Sequence, residues 1–366
     1  MSYLEIKNVN KVYPNGVQAV FDFNLTVEKG EFVVFVGPSG CGKSTMLRMI
    51  AGLEEITDGQ IILDNKVLNN ESPGDRDIAM VFQNYALYSH MTSYQNVGIG
   101  LRVRHEPSDI IHQKVMHASD ILQLDEYLNR TPKRMSGGQQ QRVALGRTIV
   151  RDPKLFLMDE PLSNLDALLR DSTRRELVKL YQELNGTTIY VTHDQIEAMT
   201  MASKLVVMKD GYVQQIGTPY DVYHTPENVF VGSFIGIPPM NFIKGIFDGK
   251  YFNFEGQKII VSKNHLSYLK AYKDKEVILG IRPEYIQSVR AFGNYNKEEV
   301  VKLNVHYSEL LGPKYNVKYK VNDETYIISQ IDVRAYDSSR TKDEVVFNVS
   351  QAYFFDVDTE KRIREE

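Results

Sequence analysis

Apolar and polar positions follow two different patterns along the chain. The first 30 residues alternate weakly and carry turn signals at Pro14-Asn15-Gly16 and Lys29-Gly30, which predicts short antiparallel strands. Phe32–Val36 is an unbroken apolar run, the pattern of a strand buried on both faces. A glycine-rich loop follows, and the run MLRMIAGL at 46–53 predicts a helix. Strand, loop and helix in that order open a parallel α/β unit. Residues 155–158, 188–191 and 205–208 predict three more buried strands, the last ending at the Asp210-Gly211 turn. Between the strands, residues 93–151 carry helical spacing, as at Val115, Ile121, Leu122 and Leu124, and predict a helical insertion.

The pattern changes around 226–239. Beyond it, short β-type segments alternate with turns. In 314–321, Tyr315, Val317, Tyr319 and Val321 share one face, and Lys314, Asn316, Lys318 and Lys320 share the other. That is a strand with one wet face. Residues 247–261, 277–281 and 345–349 predict further strands, and no long helix is evident. A small all-β domain of partly open barrel type is expected.

Composition narrows the setting. The chain has 366 residues, room for two or three domains, with 42% apolar and 25% charged residues. That balance excludes a wholly disordered or collagen-like chain. The net charge of −4 provides no overall positive field for nucleic acid or anionic lipid. From Asn241 onward, 20 basic residues face 19 acidic ones, so the barrel lacks the basic excess of an oligonucleotide binder. No nucleic-acid partner is expected. No apolar run approaches the ~20 residues that span a bilayer, and Glu5 stands where a secretory leader would be basic and then apolar. The single cysteine, Cys41, excludes an internal disulfide. A reduced, soluble, cytoplasmic, multi-domain protein is expected, and the composition does not forbid docking onto a membrane protein.

Three motifs carry chemistry. Gly37-Pro38-Ser39-Gly40-Cys41-Gly42-Lys43-Ser44-Thr45 has two glycines with four residues between them, then Lys and Ser, between a buried strand and a helix. Glycines let the backbone curl and aim several N–H groups at phosphate oxygens, and the helix adds its positive end. Lys43 would reach the β- and γ-phosphates and the Ser44 hydroxyl would bind Mg²⁺. The strand at 155–158 ends in Asp159, a candidate Mg²⁺ ligand, and Glu160, which could orient a water toward the γ-phosphate. A carboxylate is a weak base at neutral pH, so the value of Glu160 there is mostly positional. Ser136-Gly137-Gly138-Gln139 opens a helical run. Alone it is an ordinary cap; beside the first loop it is a second phosphate-gripping site, with a hydroxyl, bare N–H groups and a helix dipole. Two such loops with one set of Mg²⁺ ligands point to a two-fold dimer, each copy closing over its partner's nucleotide.

The motif order resembles the nucleotide-binding subunits of ABC transporters. GPSGCGKST, Gln83, MSGGQQQR, LFLMDEP, Ser163 to Asp166 and His193 occur in the order of that family. MVFQNYALYSHMT, YVTHDQIEAMTMA and GIRPEYI narrow the likeness to ATPase subunits of multiple-sugar importers of the maltose and glycerol-3-phosphate type. It spans essentially the whole chain. Met135 replaces a usual leucine, and Ser89 a common proline. The resemblance implies that Tyr13 stacks on adenine, that Gln83 touches Mg²⁺ and the attacking water and senses the membrane subunit, that His193 contacts the γ-phosphate, and that Asp166 crosses the dimer interface.

The expected architecture is a phosphate-loop α/β ATPase domain at 1–235, with a helical subdomain at about 88–151. A β-barrel follows at 236–366, which the resemblance implies is of the transport-associated OB type. The expected activity is ATP hydrolysis with Mg²⁺, driving dimer closure that energises a carbohydrate importer. Expected partners are two transmembrane permease subunits, indirectly an extracytoplasmic solute-binding protein, and a regulatory protein at the barrel. The expected location is the cytoplasmic face of the membrane. A polyamine, iron or other small-solute importer is the alternative cargo assignment.

Overall fold

The computed structural model describes residues 2–290 and 295–364. They divide into two compact units, 1–219 and 220–366.

The first unit is built on two sheets. Ser2–Val12 and Gln18–Glu28 pair as a long hairpin, and Ser2–Val12 also pairs with Asp58–Leu63, so the opening strands are longer than their weak alternation suggests. The second sheet has six strands, of which Lys204–Lys209, Phe32–Val36, Thr188–Thr192, Leu155–Asp159 and Ile78–Val81 run parallel in that spatial order. Val33 to Val36 and all of Leu155–Asp159 and Thr188–Thr192 are buried. These apolar runs are continuous because both faces of the sheet are covered. Ile78–Val81 was not expected: four residues give no usable period.

The inserted helices are Ser93–Val103, Ser108–Leu122 and Gly137–Ile149. Thr92 and Ser136 each close a capping box with a glutamine three residues on, which fixes where the first and third of these helices start. Val115, Leu122 and Leu124 are buried between them, and Ile121 is only partly covered. Among the described residues no helix is long and apolar enough to cross a membrane.

The second unit holds two five-stranded antiparallel sheets enclosing one apolar core. Val317 and Tyr319 of Lys314–Lys320 are fully buried while Lys314 is exposed, as the period-2 pattern requires. The longest α-helix among its described residues has seven, Lys263–Leu269. The OB-type barrel class holds. The units part at Pro219, earlier than the change of pattern at 226–239, because the segment after Pro219 packs on the barrel. Arg282, 1% exposed, sends its guanidinium to the carbonyls of Tyr223 (2.7 Å), Gly232 (3.2 Å) and Ile235. Its charge lies 4.1 Å from the Tyr223 ring centre.

Candidate functional site

Three adjacent parallel strands end side by side and present the chemistry. Phe32–Val36 feeds the loop Gly37–Thr45, Leu155–Asp159 feeds Glu160, and Thr188–Thr192 feeds His193. Ligands of open α/β sheets bind at this carboxyl edge.

The glycines of the first loop are dictated by space. A Cβ on Gly37 would lie 2.2 Å from the Met208 carbonyl oxygen. Gly42 has φ +97°, and a Cβ there would lie 2.6 Å from the Ala19 carbonyl. Pro38, Ser39 and Gly40 are exposed at the rim, and Cys41 turns inward, 3% exposed. Burial pushes the Cys41 thiol up, against the opposing pull of Lys43. Lys43 is 4% exposed, its Nζ donating to the carbonyls of Gly37 and Pro38, each at 2.8 Å, across the mouth of the loop.

Ser44 Oγ donates to Asp159 Oδ1 at 2.6 Å. A hydroxyl and a carboxylate side by side are hard oxygen donors, and they suit Mg²⁺, which takes few protein ligands and completes its shell with substrate phosphates and water. Arg48, which the sequence reading passed over, brings a guanidinium nitrogen to 3.9 Å from the other oxygen of Asp159. Thr45 Oγ1 lies 3.4 Å from the Tyr13 hydroxyl, so Tyr13 borders the same loop. The ammonium of Lys11 sits 5.0 Å from the centre of the Tyr13 ring. Lys11 was also missed, because a lysine in an alternating strand looks solvated, yet Glu54 and the Glu55 carbonyl hold it nearly buried.

Glu160 and His193 meet: the ring Nδ1 is 3.0 Å from Oε2 of the carboxylate. Glu160 sits at φ +46°, a left-handed conformation uncommon for a side chain of this kind. Its N–H donates to the Val191 carbonyl at 3.1 Å, and its own carbonyl accepts from Ser163 N and Oγ at 3.2 and 2.8 Å. The fold thus over-determines the backbone that aims this carboxylate.

Gln83 is exposed, and its carbonyl accepts from Asn164 Nδ2 at 2.8 Å, which ties its segment to the 163–166 loop. Arg147 fastens the next residues, donating to the carbonyls of Tyr85 and Ala86 at 2.8 Å each. Asp166 caps the helix Ala167–Leu184, Oδ1 accepting from Leu169 N at 3.0 Å. Ser136 is exposed, with its hydroxyl 3.4 Å from Gln139 N, and Gln139 Oε1 accepts from Ser136 N at 3.0 Å. Gly137 and Gly138 lie against Leu165 and Leu169, where a Cβ would come within 3.2 and 3.1 Å.

Residues 20–163 match the ABC transporter family and residues 236–286 the MalK OB fold domain. The oligosaccharides import ATP-binding protein MsmX of Bacillus subtilis is 51% identical over the whole of both chains. The multiple sugar-binding transport ATP-binding protein MsmK of Streptococcus mutans is 47% identical, again over all of both. The sn-glycerol-3-phosphate import ATP-binding protein UgpC of Psychromonas ingrahamii is 47% identical over 99% of this chain and 96% of its own. Among solved structures, the dimeric ATP-binding cassette MJ0796 with ADP and Pi superposes with a TM-score of 0.54 at 32% identity, covering 59% of this chain and 98% of its own. CbiO1 of Clostridium perfringens gives 0.57 at 29% identity, covering 61% and 91%. The chain therefore belongs to the ABC transporter ATP-binding proteins, as an ATPase cassette followed by a MalK-type OB-fold domain.

Proposed function

We propose that this chain is the motor subunit of a carbohydrate importer, working as a homodimer on the cytoplasmic face of the membrane with two permease subunits and, through them, an extracytoplasmic solute-binding protein. What carries the reading is the convergence of the Gly37–Thr45 loop, Asp159 and the Glu160–His193 pair on three neighbouring strand ends. The relatives named for oligosaccharides, multiple sugars and glycerol-3-phosphate support the cargo class.

In this reading, the first unit, 1–219, is the ATPase domain, with the helical subdomain at about 88–151. The second unit, 220–366, holds a regulatory barrel open to a protein regulator. Tyr13 stacks on adenine, and the backbone N–H groups from Gly37 to Thr45 cradle the phosphates, with Lys43 exchanging its carbonyl partners for phosphate oxygens. Ser44, Asp159 and Gln83 would hold Mg²⁺, whose charge offsets that of the β- and γ-phosphates. Glu160 orients a water in line with the γ-phosphorus and draws on its proton as the new P–O bond forms and ADP departs. His193 holds the Glu160 carboxylate and touches the γ-phosphate. Ser136, Gly137, Gly138 and Gln139 of one copy close over the nucleotide of the other, and Asp166 crosses between them. Closure is a population shift, driven by contacts that exist only while ATP bridges the two copies.

Affinity purification of the tagged protein from membranes, with identification of the proteins recovered, tests the assembly. Sugar permeases and a sugar-binding protein are expected. Recovery of amine or metal permeases instead would overturn the cargo, and recovery of no permease would overturn the motor role.

A further inference from the structure

The joint between the strand Thr188–Thr192 and the helix Gln195–Met201 is His193-Asp194, and a ring of hydrogen bonds encloses it. Glu197, one turn into the helix, is 3% exposed. A carboxylate that deep needs hydrogen-bond partners. Its Oε2 accepts from Tyr190 Oη at 2.8 Å and from Thr192 Oγ1 at 2.7 Å. Thr192 Oγ1 in turn accepts from Asp194 N at 2.9 Å. Asp194 Oδ1 accepts from Ile196 N at 2.7 Å and Glu197 N at 3.2 Å, which closes the ring.

The polarity of the ring matters. A threonine hydroxyl has one proton and two lone pairs. Glu197 takes the proton, which turns the lone pairs toward the Asp194 N–H. The residues on both sides of His193 are thereby pinned, while the imidazole itself is half exposed and, of its two nitrogens, Nδ1 meets Glu160. The aim of the ring is set by backbone that Glu197 orders.

We propose that Glu197 is a positioning residue for hydrolysis, acting through the Thr192 hydroxyl to hold His193 on Glu160. The inference rests on the roles assigned above to His193 and Glu160. Tyr190 provides a built-in control, because its hydroxyl also bonds Glu197 but does not touch the His193 backbone.

The test is steady-state ATP hydrolysis by full-length Thr192→Val, Tyr190→Phe, Glu197→Leu and His193→Ala, with melting temperatures measured in parallel. Thr192→Val should lower kcat about tenfold or more, a barrier change of ~1.4 kcal/mol, with KM for ATP nearly unchanged. Tyr190→Phe should keep the parent kcat although it too removes one hydrogen bond from the buried carboxylate. Combined with His193→Ala, Thr192→Val should cause no further loss, since both act through one group. Histidine ¹⁵N spectra supply a readout apart from turnover. The His193 Nδ1 signal should lose its hydrogen-bonded position in Thr192→Val and in Glu197→Leu, and keep it in Tyr190→Phe. Equal kcat losses in Thr192→Val and Tyr190→Phe, additive losses in the His193→Ala background, or an unmoved His193 signal in Thr192→Val would each overturn the brace. Normal turnover in His193→Ala alone would overturn the underlying site assignment, and the brace with it.

Discussion

At the scale of single residues, the proposed site separates binding from chemistry. Lys43 is nearly buried with its ammonium on two carbonyls of its own loop, and in the proposal above it exchanges them for phosphate oxygens. Lys43→Ala should weaken ATP binding itself, read by titration with a fluorescent nucleotide; an unchanged affinity would contradict its role. Glu160 follows Asp159 at the end of its strand and meets His193. Glu160→Gln should bind ATP as the parent does and lose ~10²–10⁴ in turnover, the range for a general base. Parent-like hydrolysis in that variant would remove Glu160 from the chemistry. The two residues differ in how legible they were. The loop around Lys43 is contiguous and declares itself in nine residues. The Glu160–His193 contact joins residues 33 apart in sequence, and it exists only because their strands are neighbours, which local pattern does not reveal. Tyr13, Gln83 and Asp166 carry no local chemical signal at all and came from family resemblance. Glu197 escaped because an acid in the first turn of a helix usually sits in solvent.

Elements explain which parts of the pattern survived folding. The continuous apolar runs became strands at the expected places because a doubly covered sheet tolerates little polar intrusion. The strand Ile78–Val81 was invisible because four residues between Asp77 and Phe82 fit helix or strand equally well. The helix Gly137–Ile149 carries the Ser136-Gly137-Gly138-Gln139 motif at its start, where Ser136 serves a capping box and, in the proposal above, the partner's nucleotide. These two duties can be separated. Ser136→Ala should destabilise the protein by about 1 kcal/mol, the usual worth of such a cap, seen as a shifted denaturant midpoint. Ser136→Arg should leave chains that bind ATP and do not hydrolyse it. Hydrolysis at the parent rate in Ser136→Arg would argue against a shared site.

For the whole molecule, the decisive matter is whether one chain suffices. Its Ser44, Asp159, Glu160 and His193 gather on one sheet edge, whereas Ser136 begins a helix of the insertion. Specific activity should therefore fall as the protein is diluted, and Glu160→Gln with ATP should elute as a dimer in size-exclusion chromatography with light scattering. Constant activity per chain at low concentration, or a monomer under those conditions, would rule out the two-copy engine. The barrel class was readable from short strands separated by turns, among them the alternating Lys314–Lys320, and from the lack of a long helical pattern. Where the second unit begins was not readable, because the arginine that ties the segment after Pro219 to the barrel is a lone basic residue in Gly-Ile-Arg-Pro, and nothing in the sequence marks it as buried.

The inward-facing Cys41 also has a practical side. It is the only thiol in the chain, and both its enclosure and its raised pKa slow any reagent that needs thiolate. A spin label or fluorophore offered at neutral pH should go to a cysteine introduced at an exposed position such as Lys133 or Asp358 and leave position 41 untouched. This sequence is thus a ready background for distance spectroscopy on the ATP-binding subunit, without first stripping its native cysteine.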